Sequence, residues 1–364
     1  MIAYLRTSAA GFDIRLKKYL QVCGSSNTPY LVISWNRLMN AECLPNEYSF
    51  QHAAPYGYGH RLNNFLLLLA WYLFAIKKLI QYRKRYTIIH ACNLETMPIA
   101  FLFKSLFGKK VIFDIYDTSE KYRLERYFIR CSDLFILPSE KRLEQEGFIN
   151  NAWSNFLVVE NVPIFTKVPT KHNGMQDVNK IVLSYVGTFQ RQIRGLENML
   201  RLVLDDERFI LELAGSGDGL EKDFEEASNT CSRIHFHGTV NYNKALEIMH
   251  SSDFIIAQYY LCAPVHKYAS PNKFYESLFL GVPIITTKDT LVGYQTEDCD
   301  SGYVIGDGYE DLKNLFSNVD DTFIEAYHIK EENAKKKWNA DYKDYFNNHM
   351  INQYIRKCHL LSSL

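Results

Sequence analysis

Lys273 and Glu276 are the pair in this chain best placed to do chemistry. They lie in the stretch 269–287, ASPNKFYESLFLGVPIITT. Ser270 reads as a helix N-cap, with Pro271 at the first helical position. Phe274, Leu278 and Phe279 form an apolar face; Gly281 and Pro283 end the helix ahead of a β-rich run. A lysine in a first turn opposes the helix dipole, at a cost of a few tenths to ~1 kcal/mol. An anion bound at that helix end removes the cost, because ammonium and unpaired N–H groups then converge on it. Glu276, one turn on, adds a carboxylate for a hydroxyl. The layout is that of a phosphate site, although the same residues also fit an exposed lysine on an ordinary helix.

Three more strand-to-helix connections in the second half carry glycine: Gly187-Thr188, Gly215-Ser216-Gly217 and Gly238. Glycine lets a ligand approach the backbone closely. Arg191 and Arg194 follow the first of these turns and are candidates to meet a phosphate together with Lys273. Four such turns in succession point to a nucleotide or diphosphate ligand. There is no Walker lysine motif and no G-x-G-x-x-G, which argues against an ATPase or a dehydrogenase.

The elements that must position these residues follow an alternating β/α rhythm. The 364 residues, 47% hydrophobic, suffice for two domains with separate cores. The first spans 1–163 and opens β–turn–helix–β, the start of a parallel doubly wound sheet. Its first turn lies where such sheets bind ligands, which makes Gly11, Asp13 and Arg15 candidate contacts, with solvated surface charges as the alternative. Residues 164–179 read as a linker, 180–320 as a second α/β series, and 321–364 as amphipathic helices. Residues 1–165 hold 20 Lys+Arg and 13 Asp+Glu, and the remainder 21 and 28, so the first half is basic and the second acidic. Residues 65–76, FLLLLAWYLFAI, carry no charge and lead into Lys77, Lys78, Arg83, Lys84 and Arg85. Twelve residues are too few to span a bilayer. They suit either an interfacial contact with an anionic leaflet or a core helix with a basic end. The eight cysteines have no metal-ligand spacing and read as reduced cytosolic thiols. Met1 to Leu5 already reads as a strand, which leaves no expected leader.

The second-half motifs resemble those of the retaining GT-B-fold nucleotide-sugar glycosyltransferases of family four. The matching pieces are 185–188 (YVGT), 213–218 (LAGSGD), 234–238 (IHFHG), 252–256 (SDFII) and 270–285 (SPNKFYESLFLGVPII). In the first half, 87–91 (TIIHA) and 110–117 (KVIFDIYD) look like the family's acceptor domain. The resemblance implies two Rossmann-like domains facing each other across a cleft, with C-terminal helices returning to the first. It implies a nucleoside-diphosphate sugar held by the second domain through Gly187, Thr188, Arg191, Gly215, Ser216, Gly217, Gly238, Val240, Ser270, Pro271 and Asn272. Glu276 matches the second glutamate of the family's Glu-x7-Glu motif, which contacts the ribose. Lys273 and Arg194 would neutralise the leaving diphosphate, and no metal or other cofactor is expected. Gly11, Asp13, Arg15 and Asp117 would face the acceptor. Asp298-Cys-Asp300 is a D-x-D string that reads as solvated.

Two positions depart from the pattern. The first glutamate of the motif is replaced by Tyr268, and the histidine often found after the fourth strand is replaced by Tyr116. The expected function is transfer of a hexose to a lipid-linked saccharide in surface polysaccharide assembly, with retention, at the inner face of the cell membrane. The expected partners are a nucleotide sugar, a lipid-linked or free saccharide and an anionic membrane surface, not nucleic acid. A catalytically silent nucleotide-sugar-binding subunit and a nucleotide-sugar epimerase are the competing expectations.

Overall fold

The computed structural model describes the chain apart from residues 38, 40–46, 56–60, 117–121, 146–154, 166–174, 176, 178 and 364. The chain divides into two compact units, Met1–Ile164 with Asp344–Leu364, and Phe165–Lys343. Each is built on its own parallel sheet.

The first unit runs β1 (Ile2–Arg6), α1 (Ile14–Ser25), β2 (Tyr30–Asn36), β3 (Ser49–Ala53), α2 (Arg61–Gln81), β4 (Ile88–Ala91), α3 (Met97–Phe107), β5 (Lys110–Asp114), α4 (Tyr122–Cys131), β6 (Leu134–Leu137), α5 (Arg142–Gln145) and β7 (Phe156–Val158). Its strand order is β3-β2-β1-β4-β5-β6-β7. β4 and β6 are buried at every position, as strands covered by helices on both faces must be.

The second unit runs β8 (Ile181–Thr188), α6 (Leu196–Asp205), β9 (Phe209–Ser216), α7 (Leu220–Thr230), β10 (Ile234–Phe236), α8 (Tyr242–His250), β11 (Phe254–Ala257), α9 (Asn272–Leu280), β12 (Ile284–Thr287), α10 (Leu291–Asp298), β13 (Gly302–Ile305), α11 (Tyr309–Leu315) and α12 (Asp321–Lys337). Its order is β10-β9-β8-β11-β12-β13. The direction of winding reverses between β1 and β4 in the first sheet and between β8 and β11 in the second. In open parallel sheets a ligand crevice forms outside the carboxyl ends of the strands at such a reversal.

The C-terminal segment continues through a π-helical stretch, Phe346–Ile355, into α13 (Arg356–Ser363). It is part of the first unit. Tyr354 is fully buried, and its hydroxyl meets the Tyr4 hydroxyl and His90 Nδ1, each at 2.8 Å. Lys357 Nζ donates to the Phe156 carbonyl at 2.8 Å.

Two local expectations need correction. Helix α9 starts one residue later than Ser270 and Pro271 imply: Pro271 is itself the N-cap, in extended conformation (φ −73°, ψ 146°), and Asn272 is the first helical residue. Helix α2 is 21 residues long, and Leu62–Gln81 is long and apolar enough to cross a membrane by length and composition. The apolar run of twelve understated it, because the helix continues into Lys77 and Lys78. It packs on the sheet through Trp71, Ala75 and Leu79, while Leu62, Phe65, Leu66, Leu69 and Leu73 are exposed. The Asp298-Cys-Asp300 string is solvated as expected: both carboxylates are exposed, Asp298 at the end of α10 and Asp300 in a surface ion pair with Lys330.

Candidate functional site

The second sheet gathers its glycines at the carboxyl end of the central strands. β8 and β9 stay paired to their last residues, Gly187 opposite Gly215 and Thr188 opposite Ser216. The pairing demands glycine: a Cβ on Gly215, whose φ is +143°, would lie 1.8 Å from the Gly187 carbonyl oxygen. Gly215 N–H donates to the Gly238 carbonyl at 2.9 Å, which brings the β10 turn into the same rim. Thr188 and Ser216 are exposed there, and Val240 is half-buried just before the N-cap Asn241 of α8.

Helix α9 delivers Lys273 to this rim. Its first turn lies over the end of β8, so a Cβ on Gly187 would sit 3.2 Å from Lys273 Nζ. The lysine is only 9% exposed and forms no ion pair among the described residues. Its ammonium instead lies 4.0 Å from the centre of the Tyr185 ring. Burial, and then the nearby Arg194 guanidinium, lower its pKa to about 7, against the pull of Glu276. Arg194, on the loop before α6, stacks over Tyr259 at 4.9 Å, and its Nε donates to Gln190 Oε1 at 2.8 Å. Glu276 is 5% exposed and accepts a hydrogen bond from the Tyr242 hydroxyl at 3.0 Å. Burial raises its pKa, opposed by Lys273 and Tyr242. Two cations and one carboxylate thus share one buried corner, which leaves an excess of positive charge facing N–H groups at a helix start. That is a place for an anion.

Ser270, Pro271 and Asn272 are half-buried at the start of α9. Gly217 lies on the same rim, and its N–H donates to Glu221 Oε1 at 3.0 Å. Arg191 departs from the group: it is exposed and ion-paired with Asp223, with its N–H on Asp218. The sequence reading missed Tyr242, Tyr259 and His266. Tyr242 opens α8, Tyr259 follows β11 and His266 lies in the turn Pro264–Tyr268; each is aromatic, and none has a spacing that separates it from core residues.

In the first unit, Gly11 lies in a short 3₁₀ turn, and Asp13 caps α1 by accepting from Leu16 N–H at 2.7 Å. Asp13 is also ion-paired with Arg6 at 2.5 Å. Arg15 is 7% exposed, not a surface charge: it is ion-paired with Asp114 at 2.7 Å and donates to the Val159 carbonyl and Asn161 Oδ1. A fully buried carboxylate at the end of β5 needs a counter-charge, and Arg15 supplies it. Tyr116 packs against the Arg6 and Arg15 guanidiniums, at 4.2 and 5.2 Å. Asp117 lies outside the described residues. At the carboxyl edge near β1 and β4, Glu95 is held by Thr7 and Arg37 and remains partly exposed, a carboxylate the sequence reading did not single out.

Residues 180–319 match the family model described as glycosyl transferases group 1. No curated protein matches the chain. Among solved structures, the chain is similar to a sucrose-phosphate synthase from Thermosynechococcus elongatus, at 12% identity and TM-score 0.71 over 99% of each chain. WaaG, a glycosyltransferase involved in lipopolysaccharide biosynthesis, is similar at 13% and 0.66 over 98% of this chain and 99% of that one. Anabaena HepE in complex with UDP-glucose is similar at 14% and 0.66 over the whole of both. At such identities the likeness is one of fold, and it extends over both units.

Proposed function

We propose that this chain, a glycosyltransferase of GT-B fold with its group 1 domain over residues 180–319, moves a hexose from a nucleoside-diphosphate sugar to a lipid-linked saccharide. The observation that carries the donor assignment is the convergence of Lys273, Arg194 and Glu276 on the glycine rim of the second sheet. Lys273 and Arg194 face the diphosphate, and Glu276, oriented by Tyr242, takes a ribose hydroxyl. As the glycosidic bond breaks, negative charge grows on the leaving diphosphate. Cations already fixed in a dry corner stabilise that charge without reorganising. The diphosphate's charge falls to side chains and helix N–H groups, so the reading calls for no metal. Retention follows the family resemblance, with the leaving phosphate itself helping to deprotonate the acceptor. The HepE structure with UDP-glucose supports a nucleotide-sugar donor.

The acceptor belongs to the first unit, at the carboxyl edge of its sheet. The exposed leucines of α2 and the basic residues that follow support a place on an anionic membrane surface, on the cytoplasmic side, where surface polysaccharides are assembled. Isothermal titration with UDP-, GDP- and dTDP-sugars tests the donor assignment. One of them binds, and Lys273→Ala weakens it by roughly 1–3 kcal/mol. Silence across the panel, or a Lys273→Ala variant that binds as tightly, removes the assignment. Product analysis with and without acceptor then separates transfer from epimerisation and from binding alone.

A further inference from the structure

His266 takes no part in the transfer described above, yet it lies beside the groups that do. It belongs to the 3₁₀ turn Pro264–Tyr268, which follows β11 across the winding reversal from β8. The side chain is 4% exposed. Nδ1 lies 2.8 Å from the Tyr260 carbonyl, an acceptor, so Nδ1 carries the hydrogen and Nε2 the lone pair. Nε2 has no hydrogen-bond partner among the described residues. The ring meets Tyr259 edge-on at 5.2 Å, and the same tyrosine carries Arg194 at 4.9 Å.

The charged and titratable groups around this corner come from five elements. They are Arg194 before α6, Tyr185 on β8, Tyr259 after β11, Tyr242 on α8, and Lys273 with Glu276 on α9. Burial holds the imidazole neutral, and Arg194 adds to that effect, against the Tyr260 carbonyl. A neutral, buried imidazole with an idle ring nitrogen, next to the tyrosine that carries the Arg194 guanidinium, is placed for an anion rather than for its own fold. A diphosphate entering between Arg194 and Lys273 reverses the sign of the local charge.

We propose that His266 is a third contact for the donor's diphosphate: it takes a proton from solvent as the ligand binds and donates from Nε2 to a phosphate oxygen. This rests on the diphosphate site at Lys273 and Arg194. The test uses the full chain, with sodium pyrophosphate and with UDP, GDP and dTDP as probes. Histidine Cε1–H signals are followed by NMR, and affinity by calorimetry. His266→Asn keeps a donor for the Tyr260 carbonyl but has nothing at the Nε2 position. The expected result is a His266 signal that shifts under pyrophosphate, with its titration midpoint moving up. His266→Asn should bind roughly tenfold more weakly with an unchanged melting temperature. Binding that depends on Lys273 while the His266 signal stays still overturns the proposal and leaves the donor site standing. So does a response to intact nucleotide sugars but not to pyrophosphate. If no probe binds at all, the proposal falls together with the donor site.

Discussion

Lys273 shows how a residue's setting can be costly to the fold and useful to a ligand. An ammonium buried over an aromatic ring beside a guanidinium destabilises the folded chain whenever it is charged. Its folded-state pKa is about 7 against 10.5 for a free lysine, so the fold gains stability as pH rises from about 7 toward 10.5. Ligand binding runs the opposite way, since the diphosphate wants the charged form. Affinity for a nucleoside diphosphate should therefore fall above pH 7, by up to about tenfold per pH unit. Calorimetry from pH 6 to 9 checks this, and Lys273→Arg, whose guanidinium stays charged, should flatten the upper limb. Arg15 makes the contrasting case. Burial pushes the Asp114 carboxyl up, but Arg15 and His90 more than offset this and hold it well below the usual carboxylate range. That contribution is present above about pH 4 and is lost as acid protonates Asp114. Arg15→Met leaves the buried carboxylate with only His90 as an ion-pair partner among the described residues and should cost roughly 3–5 kcal/mol in urea unfolding at pH 7. A variant that is stable but deficient only in acceptor use would return Arg15 to the substrate.

At the scale of the element, α9 and α2 were both visible in the sequence, with different fidelity. Gly281 ends α9 in the left-handed region, at φ +67°, and a Cβ there would meet Lys335 Cε at 2.2 Å. The stop signal was therefore legible, while the start moved by one residue because Pro271 takes the cap. Helix α2 differs from the usual surface helix in being apolar on both faces. Trp71, Ala75 and Leu79 pack inward, and large apolar residues also line the outside. An outward stripe of this kind, next to a basic cluster, favours an anionic lipid surface over a second copy of the same basic unit. Replacing Leu66, Leu69 and Leu73 with serine should abolish flotation with vesicles of phosphatidylglycerol and phosphatidylethanolamine. Stability should stay within about 0.5 kcal/mol per site, since these side chains are exposed. Trp71 is unsuitable for that experiment, because it is fully buried and its loss would unfold the unit. Unchanged flotation of the triple variant would remove the membrane from the reading.

At the scale of the whole molecule, the chain builds the same sheet plan twice and closes the first copy with its own C-terminus. Tyr354 is the clasp: fully buried, it satisfies Tyr4 and His90 from 350 and 264 residues away in sequence. Tyr354→Ala opens a cavity, takes the hydroxyl from His90 Nδ1 and leaves the Tyr4 hydroxyl only the Cys23 thiol, at a cost of about 3–5 kcal/mol. Calorimetry should show the loss in the first unit's transition, with the second unit's transition unmoved. A uniform shift of both would mean that the two units melt as one.

The sequence alone determined the β/α alternation, the glycine rim and the pairing of Lys273 with Glu276 on one helix. Those signals are local: glycine marks the backbone positions where a Cβ cannot fit, and helical spacing sets which side chains share a face. Tertiary structure decided which charges are spoken for. Arg194 joins Lys273 and Arg191 does not, although both follow the same turn, because Asp223 on α7 claims Arg191. Arg15 and Tyr354 are fixed by partners about 100 or more residues distant. Electrostatic partnership depends on distance in space, and beyond the three- and four-residue spacing of a helix no interval along the chain encodes it.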